Sequence, residues 1–147
     1  MAQYEQLKSR RRDDYFFVLD YRTRWSDNDQ YAHMNNTIYI QLFDAVVNTY
    51  LIRHCGLQPT HGDQYGMVVH SHTDYFASLS FPAVAELAMR VNKLGKSSVT
   101  YEIAVFEKGY DNVRAVGEFV QVLVDRSTGR PNIKGMNDTM RKGLARI

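Results

Sequence analysis

The stretch Trp25-Ser26-Asp27-Asn28-Asp29-Gln30-Tyr31-Ala32-His33-Met34-Asn35-Asn36-Thr37-Ile38-Tyr39 decides the fold, because it closes a strand, crosses a polar turn and opens a long amphipathic helix. Upstream, in residues 16–25, the bulky residues Phe17, Leu19, Tyr21 and Trp25 fall on odd positions, and Asp20, Arg22 and Arg24 on even ones. A period of two is the mark of a half-buried strand. Downstream, over 37–55, Ile38, Leu42, Ala45, Val46 and Ile52, flanked by Tyr39, Phe43 and Tyr50, recur at helical spacing, and Gly56 stands where a C-terminal stop belongs. A helix of about 19 residues is roughly 28 Å long. Its apolar stripe is wide, so much of its circumference must be covered by the rest of the fold.

After a turn-rich loop over 57–63 the chain reads as strands at 65–76, 84–94, 97–107 and 113–125. Ser80-Phe81-Pro82, Gly95-Lys96, Lys108-Gly109-Tyr110-Asp111-Asn112 and Arg126-Ser127-Thr128-Gly129-Arg130-Pro131 punctuate them. Leu87, Met89 and Val91 alternate with Arg90 and Asn92, and Val99, Tyr101, Ile103 and Val105 with Thr100 and Glu102, so each strand offers one face to a core. Met140 and Leu144, four apart, predict a short helix over 137–146. One long helix against about five mostly antiparallel strands is an α+β arrangement with the helix as the filling.

The 147 residues fit one domain over 15–147, preceded by an N-terminal arm over 1–14. With 44% hydrophobic and 23% charged residues the composition is that of a globular protein. The single cysteine, Cys55, excludes an intrachain disulfide framework and fits a reducing compartment. A net charge of +2 is too small to point to nucleic acid, and the basic cluster Lys8-Ser9-Arg10-Arg11-Arg12 reads as a solvated arm. No apolar run approaches the roughly 18–20 residues of a membrane span, and no signal-peptide core is present, so the expectation is a soluble cytoplasmic protein. The ending Ala145-Arg146-Ile147 has the small-basic-aliphatic pattern of peroxisomal addresses, a pattern that also arises by chance.

The turn ahead of the helix carries the chemistry. Two acids, a histidine and two asparagines stand where a helix start presents unpaired backbone N–H groups, so a carboxylate and an anion-stabilising site lie side by side. Acyl transfer requires those two things: a base or nucleophile, and a place for the oxyanion. Asp29 suits the first role, although Asp27 and Asp29 also read as turn residues that hydrogen-bond the loop. Backbone N–H groups near Asn35, Asn36 and Thr37 suit the second; alternatively Asn35 or Asn36 is the helix N-cap. His33 orients Asp29 or a water, or hydrogen-bonds the substrate carbonyl, or else is a partly buried histidine satisfied by backbone. Lys93, Lys96, Ser97 and Ser98 cluster at a hairpin, where ammonium and hydroxyl groups suit phosphates and a solvated turn is the alternative. His70 and His72 share one strand face, but no third ligand follows at metal-binding spacing, so no metal site is expected.

The segment from Arg24 to Tyr39 resembles, in order and spacing, the signature of the 4-hydroxybenzoyl-CoA thioesterase-like group of hotdog-fold acyl-CoA thioesterases. His70-Ser71-His72-Thr73-Asp74-Tyr75-Phe76, Leu94-Gly95-Lys96-Ser97-Ser98 and a strand ending Val124-Asp125 before a Thr-Gly-Arg-Pro turn extend the resemblance over residues 16–133. It implies a hotdog fold and homodimers, often paired into tetramers, whose central sheets join and whose active sites lie at the dimer interface. It further implies hydrolysis of an acyl-CoA without metal or redox cofactor, Asp29 as the catalytic carboxylate, Asp27 as a structural turn residue, and coenzyme A's nucleotide end at the Lys93–Ser98 hairpin. Many relatives carry glycine where this chain has Ala32, and glycine takes positive φ without steric cost. Ala32 therefore strains or reshapes the turn, and it keeps a non-catalytic acyl-CoA binding protein in consideration. A hotdog enoyl or hydroxyacyl thioester hydratase is the other alternative, but it typically pairs an Asp and a His across an Asx-Pro element, and no proline occurs between Trp25 and Tyr39.

Overall fold

The computed structural model describes residues 2–147. A short helix α1 (Ala2–Lys8) precedes β1 (Phe17–Arg22), and the long α2 (Asn36–His54) follows it. Then come β2 (Gln64–Tyr75), β3 (Val84–Leu94), β4 (Ser98–Glu107), β5 (Val113–Asp125) and a terminal helix α3 (Asp138–Leu144). The strands form one antiparallel sheet in the order β1-β3-β4-β5-β2. A sheet wrapped on one long helix is the hotdog arrangement, as the resemblance implies. β3 and β5 have the predicted bounds, and α2 begins and ends one residue earlier than its periodicity suggests.

α2 fills the inner face. Phe43, Val46, Val47 and Leu51 lose all solvent contact there, a burial that contributes about 1.5–3 kcal/mol for each side chain. They pack on Leu87, Met89, Tyr101, Ile103, Phe119 and Leu123 of the sheet. Gly117 sits at the closest approach: a Cβ on it would collide with the Phe43 ring, so the absence of a side chain lets the helix sink into the sheet. Ile52 and Ala45, placed on the apolar stripe by spacing, instead face outward and are exposed. At the C-terminal end of α2, Cys55 is 1% exposed beneath α3, whose Gly143 has no room for a Cβ against its sulfur. The Tyr50 hydroxyl donates to the Gly143 carbonyl at 2.5 Å and fixes α3 on α2.

The outer face is covered differently. Leu7, Tyr15, Ala88, Ala104, Phe106, Val113 and Val116 form a second apolar cluster, and the basic cluster expected in solvent is partly used to hold it. Arg10 donates to both carboxylate oxygens of Glu102 at 2.9 and 3.1 Å, and Arg12 reaches Glu86 at 2.6 Å. Burial pushes the Glu102 carboxyl up, but hydrogen bonds from Arg10, Tyr15 and Asn92 outweigh it and hold the group below the usual glutamate value. Residue 1 of the expected arm lies outside the described residues. Among the described residues no helix is long and apolar enough to cross a membrane.

β1 departs from the prediction. Phe17, Leu19 and Tyr21 do point into the core and Val18, Asp20 and Arg22 out, but the strand stops at Arg22 and Trp25 is 82% exposed. The chain turns early because the Arg24 N–H and guanidinium both close on Asp27, forming a 3-10 turn over Trp25–Asp27.

Candidate active site

Four segments meet around the turn. Asp27 is fully buried and accepts from the Tyr21 hydroxyl at 2.6 Å, the Arg24 N–H at 2.8 Å and the Arg24 guanidinium at 2.9 Å. Burial raises its proton affinity, and these donors more than offset that, leaving the carboxyl below the ordinary aspartate value. Its backbone carbonyl accepts from the Asn35 N–H at 2.9 Å. Asp27 is therefore the structural member of the pair, tying β1 to the start of α2.

Asp29 is presented by the next part of the turn and is only partly covered. One carboxylate oxygen accepts from the Tyr31 N–H at 2.8 Å and the other from the Asn35 side-chain amide at 3.3 Å. The Asp29 N–H donates to the His33 carbonyl at 2.9 Å, and the Ala32 N–H returns to the Asp29 carbonyl at 3.0 Å. To close this loop Ala32 takes φ +63°, the left-handed conformation glycine prefers, at a cost of about 1–2 kcal/mol for a residue with a Cβ. Ala32 thus carries backbone strain within the turn. The Ser80 hydroxyl holds the Ala32 carbonyl at 2.7 Å, and the Asn28 side chain holds the Phe81 N–H at 3.1 Å. These two contacts, from a loop some fifty residues away, have no signal in the local pattern.

Asn35 resolves as the N-cap of α2: its side-chain oxygen accepts from the Thr37 N–H at 3.0 Å and hydroxyl at 2.7 Å. Of the three N–H groups assigned to an oxyanion, those of Asn35 and Thr37 are thus occupied. The N–H of Asn36, at the first position of α2, has no acceptor among the described residues. His33 is exposed, and among the described residues its imidazole makes no hydrogen bond, so in the single chain it does not orient Asp29. An open pocket of about 230 Å³ adjoins the carboxylate, lined by Trp25, Asn28, Asp29 and Ala32. Of the aromatic residues near α2, Tyr39 and Phe43 are core, while Tyr75, 42% exposed, meets Tyr39 edge-on at 5.1 Å.

The hairpin residues are elsewhere. Arg22 pairs with Val84 at the end of β3 next to the turn, whereas Leu94 pairs with Val99 at the other end. Eleven residues of strand separate the two ends, about 35 Å. Lys93, Lys96, Ser97 and Ser98 are thus not brought to Asp29 within one chain. Their hairpin is fixed by a residue that spacing did not single out: Arg141 of α3 donates to the carbonyls of Gly95 and Lys96, both at 2.9 Å. Open clefts of about 440 and 540 Å³ lie near this end, around Arg126. β2, at the sheet's edge, leaves one side unpaired and exposes Met67, Val68 and Val69.

A cupped antiparallel sheet wrapped on one central helix makes this a protein of the hotdog class. The pattern of the thioesterase-like superfamily matches residues 23–142, and the chain belongs to that family. The general activity this membership supports is thioester hydrolysis. A protein from Pseudomonas aeruginosa strain PAO1 is 43% identical, with a TM-score of 0.88 over 92% of this chain and 94% of that one. A 1,4-dihydroxy-2-naphthoyl-CoA thioesterase from Synechocystis shares the fold at 11% identity, TM-score 0.78, covering 88% and 95% of the two chains. So does a Staphylococcus aureus protein solved in complex with CoA, at 15% identity, TM-score 0.79, covering 88% and 82%. No curated protein sequence matches the chain.

Proposed function

We propose that the protein hydrolyses an acyl-CoA to the free acid and coenzyme A, that Asp29 is its nucleophile or general base, and that it belongs with the 4-hydroxybenzoyl-CoA thioesterase-like group. The observation that carries this reading is the contrast in the turn: one acid is buried and spent on structure, while Asp29 is held by two donors and faces a pocket. In the general-base form a water oxygen adds to the thioester carbonyl as Asp29 takes its proton. The carbonyl oxygen becomes the oxyanion, with the Asn36 N–H as donor, and collapse breaks the C–S bond and expels coenzyme A thiolate, which takes up the proton held by Asp29 and so restores the carboxylate. In the nucleophilic form the Asp29 oxygen adds to the carbonyl carbon, the C–S bond breaks and coenzyme A thiolate leaves to give a mixed anhydride, and water then splits that anhydride into the free acid and the Asp29 carboxylate. Neither route draws on a metal or redox cofactor.

The complete site includes a second copy of the chain. Asp29 and the Lys93–Ser98 hairpin lie at opposite ends of β3, and antiparallel pairing of two β2 edges reverses one subunit against the other. That pairing brings the hairpin end of one copy toward the turn of its partner, and it covers the exposed apolar part of β2. His33, without a hydrogen-bond partner among the described residues, then faces substrate, and Lys93, Lys96, Ser97 and Ser98 hold the nucleotide end of coenzyme A.

The deciding experiment is thiol release from short, medium, long and aromatic acyl-CoAs by the native protein and by Asp29→Asn. Turnover that collapses in the variant, with coenzyme A binding retained, supports the reading. Absence of turnover on every member by folded, dimeric protein would sink it and bring the non-catalytic binding protein or the thioester hydratase forward.

A further inference from the structure

Alternate residues of β2 face opposite sides of the sheet. Ser71, Thr73 and Tyr75 pair with Phe119, Gly117 and Ala115 on the side of α2, while His70 and His72 pair with Val120 and Glu118 on the outer side. A bulge between Val68 and His70 re-aims the strand just before the two histidines. Their rings lie 5.5 Å apart, and the His72 Nε2 meets the Glu118 carboxylate at 2.8 Å. One nitrogen from each imidazole and one oxygen of Glu118 all fall within 4.8 Å of one another. Glu118 is 46 residues from His72 in sequence, which is why spacing along one strand offered only two ligands.

From this cluster we infer that His70, His72 and Glu118 bind a divalent transition ion of the zinc class, on the sheet face opposite the thioester site. Two imidazoles and a carboxylate are the donor set that suits zinc and its neighbours, with a position left for water. Magnesium and calcium prefer all-oxygen surroundings. With zinc–ligand bonds of 2.0–2.1 Å, tetrahedral donors stand about 3.3 Å apart. The 2.8 Å contact must open slightly and His70 must close in. Both motions are cheap, because the His72 and Glu118 side chains are 45% and 37% exposed.

The charges around the cluster favour a cation. Across the sheet runs a row Arg90, Glu102, Glu118, His72, each paired with the next. Glu102 and Glu118 stand directly opposite, a repulsive arrangement on neighbouring strands. Arg10, Tyr15 and Asn92 all serve Glu102, whereas Glu118 has only His72 among the described residues. An ion held between His72 and Glu118 supplies there the positive charge that Arg10 supplies to Glu102.

The test is a titration of the tag-free full chain with Zn2+ alone, read by calorimetry and by competition with a chromophoric chelator. One ion per chain is expected. Affinity should fall by at least about 10-fold in each of His70→Ala, His72→Ala and Glu118→Gln, since even changes behind a ligand cost 10- to 100-fold. It should persist in His61→Ala, whose histidine lies in a loop away from the cluster, and against excess Mg2+. No binding, binding at another stoichiometry, or binding unchanged by His72→Ala and Glu118→Gln would overturn the inference and leave a plain cross-strand ion pair. Circular dichroism verifies each fold; should Glu118→Gln not fold, the two histidine variants decide. Acyl-CoA hydrolysis is not the readout, so the result stands whether or not Asp29 is catalytic.

Discussion

Asp27 and Asp29 are separated by one residue, yet the first has no exposed surface and four donors around its carboxylate, while the second is partly open and has two. The difference arises from which way the chain faces as it leaves β1. Asp27 looks back toward Tyr21 and Arg24 and locks the turn; Asp29 looks out past Asn35 into the pocket. Burial, more than residue type, divides the acid spent on structure from the one left open to the pocket.

That division can be broken experimentally. The largest effect expected is on rate: Asp29→Asn should lower thioester turnover by about 100- to 10,000-fold, the range for loss of a positioned proton-transfer group, while the denaturation midpoint barely moves. Equal losses of rate in Asp29→Asn and Asp27→Asn, with equal stability, would erase the distinction. Next, Asp27→Ala should cost about 2–3 kcal/mol in urea unfolding, because the Tyr21 hydroxyl and Arg24 N–H lose a buried acceptor; the guanidinium of Arg24, more than half exposed, adds little.

A smaller effect concerns acid. The carboxyls of Asp27 and Glu102 are both lowered in the folded chain from ordinary values of 3.8 and 4.5. A lowered folded value means stability that is full above the unfolded value and lost as pH falls through the folded one. Thermal midpoints should therefore hold above about pH 5 and decline below pH 4.5, and Asp27→Asn should flatten part of the decline. Smallest of all, Ala32→Gly should stabilise the fold by roughly 0.5–1 kcal/mol, relief of left-handed strain less the added freedom of the unfolded chain. A loss of stability instead would mean that the Ala32 methyl packs usefully in the turn.

Local periodicity made β3, β5 and α2 legible, because each alternates or repeats over ten or more residues with a turn residue at its end. Positive φ at residue 32 was legible too, since the turn needs it whichever residue is there. Trp25 was misplaced because parity cannot see Arg24 closing on Asp27. The basic cluster was misplaced because its acceptors, Glu86 and Glu102, lie 74 and 92 residues away. The same limit hid the anchoring of the turn by Ser80 and the distance between Asp29 and Lys96. Register across the sheet sets these relations, and register is written in pairs of strands, not in any one of them.

The buried cysteine has a practical consequence. Burial pushes the Cys55 thiol up to about 11, against a weaker pull downward from Arg146, so at assay pH it is almost wholly protonated as well as sealed by α3. A disulfide reagent added to count released coenzyme A will thus be blind to the enzyme's own sulfur while the chain is folded. Once α3 lifts from α2, the same reagent gains one slow-reacting thiol per chain, and a turnover assay becomes, without modification, a clock for opening of the C-terminus.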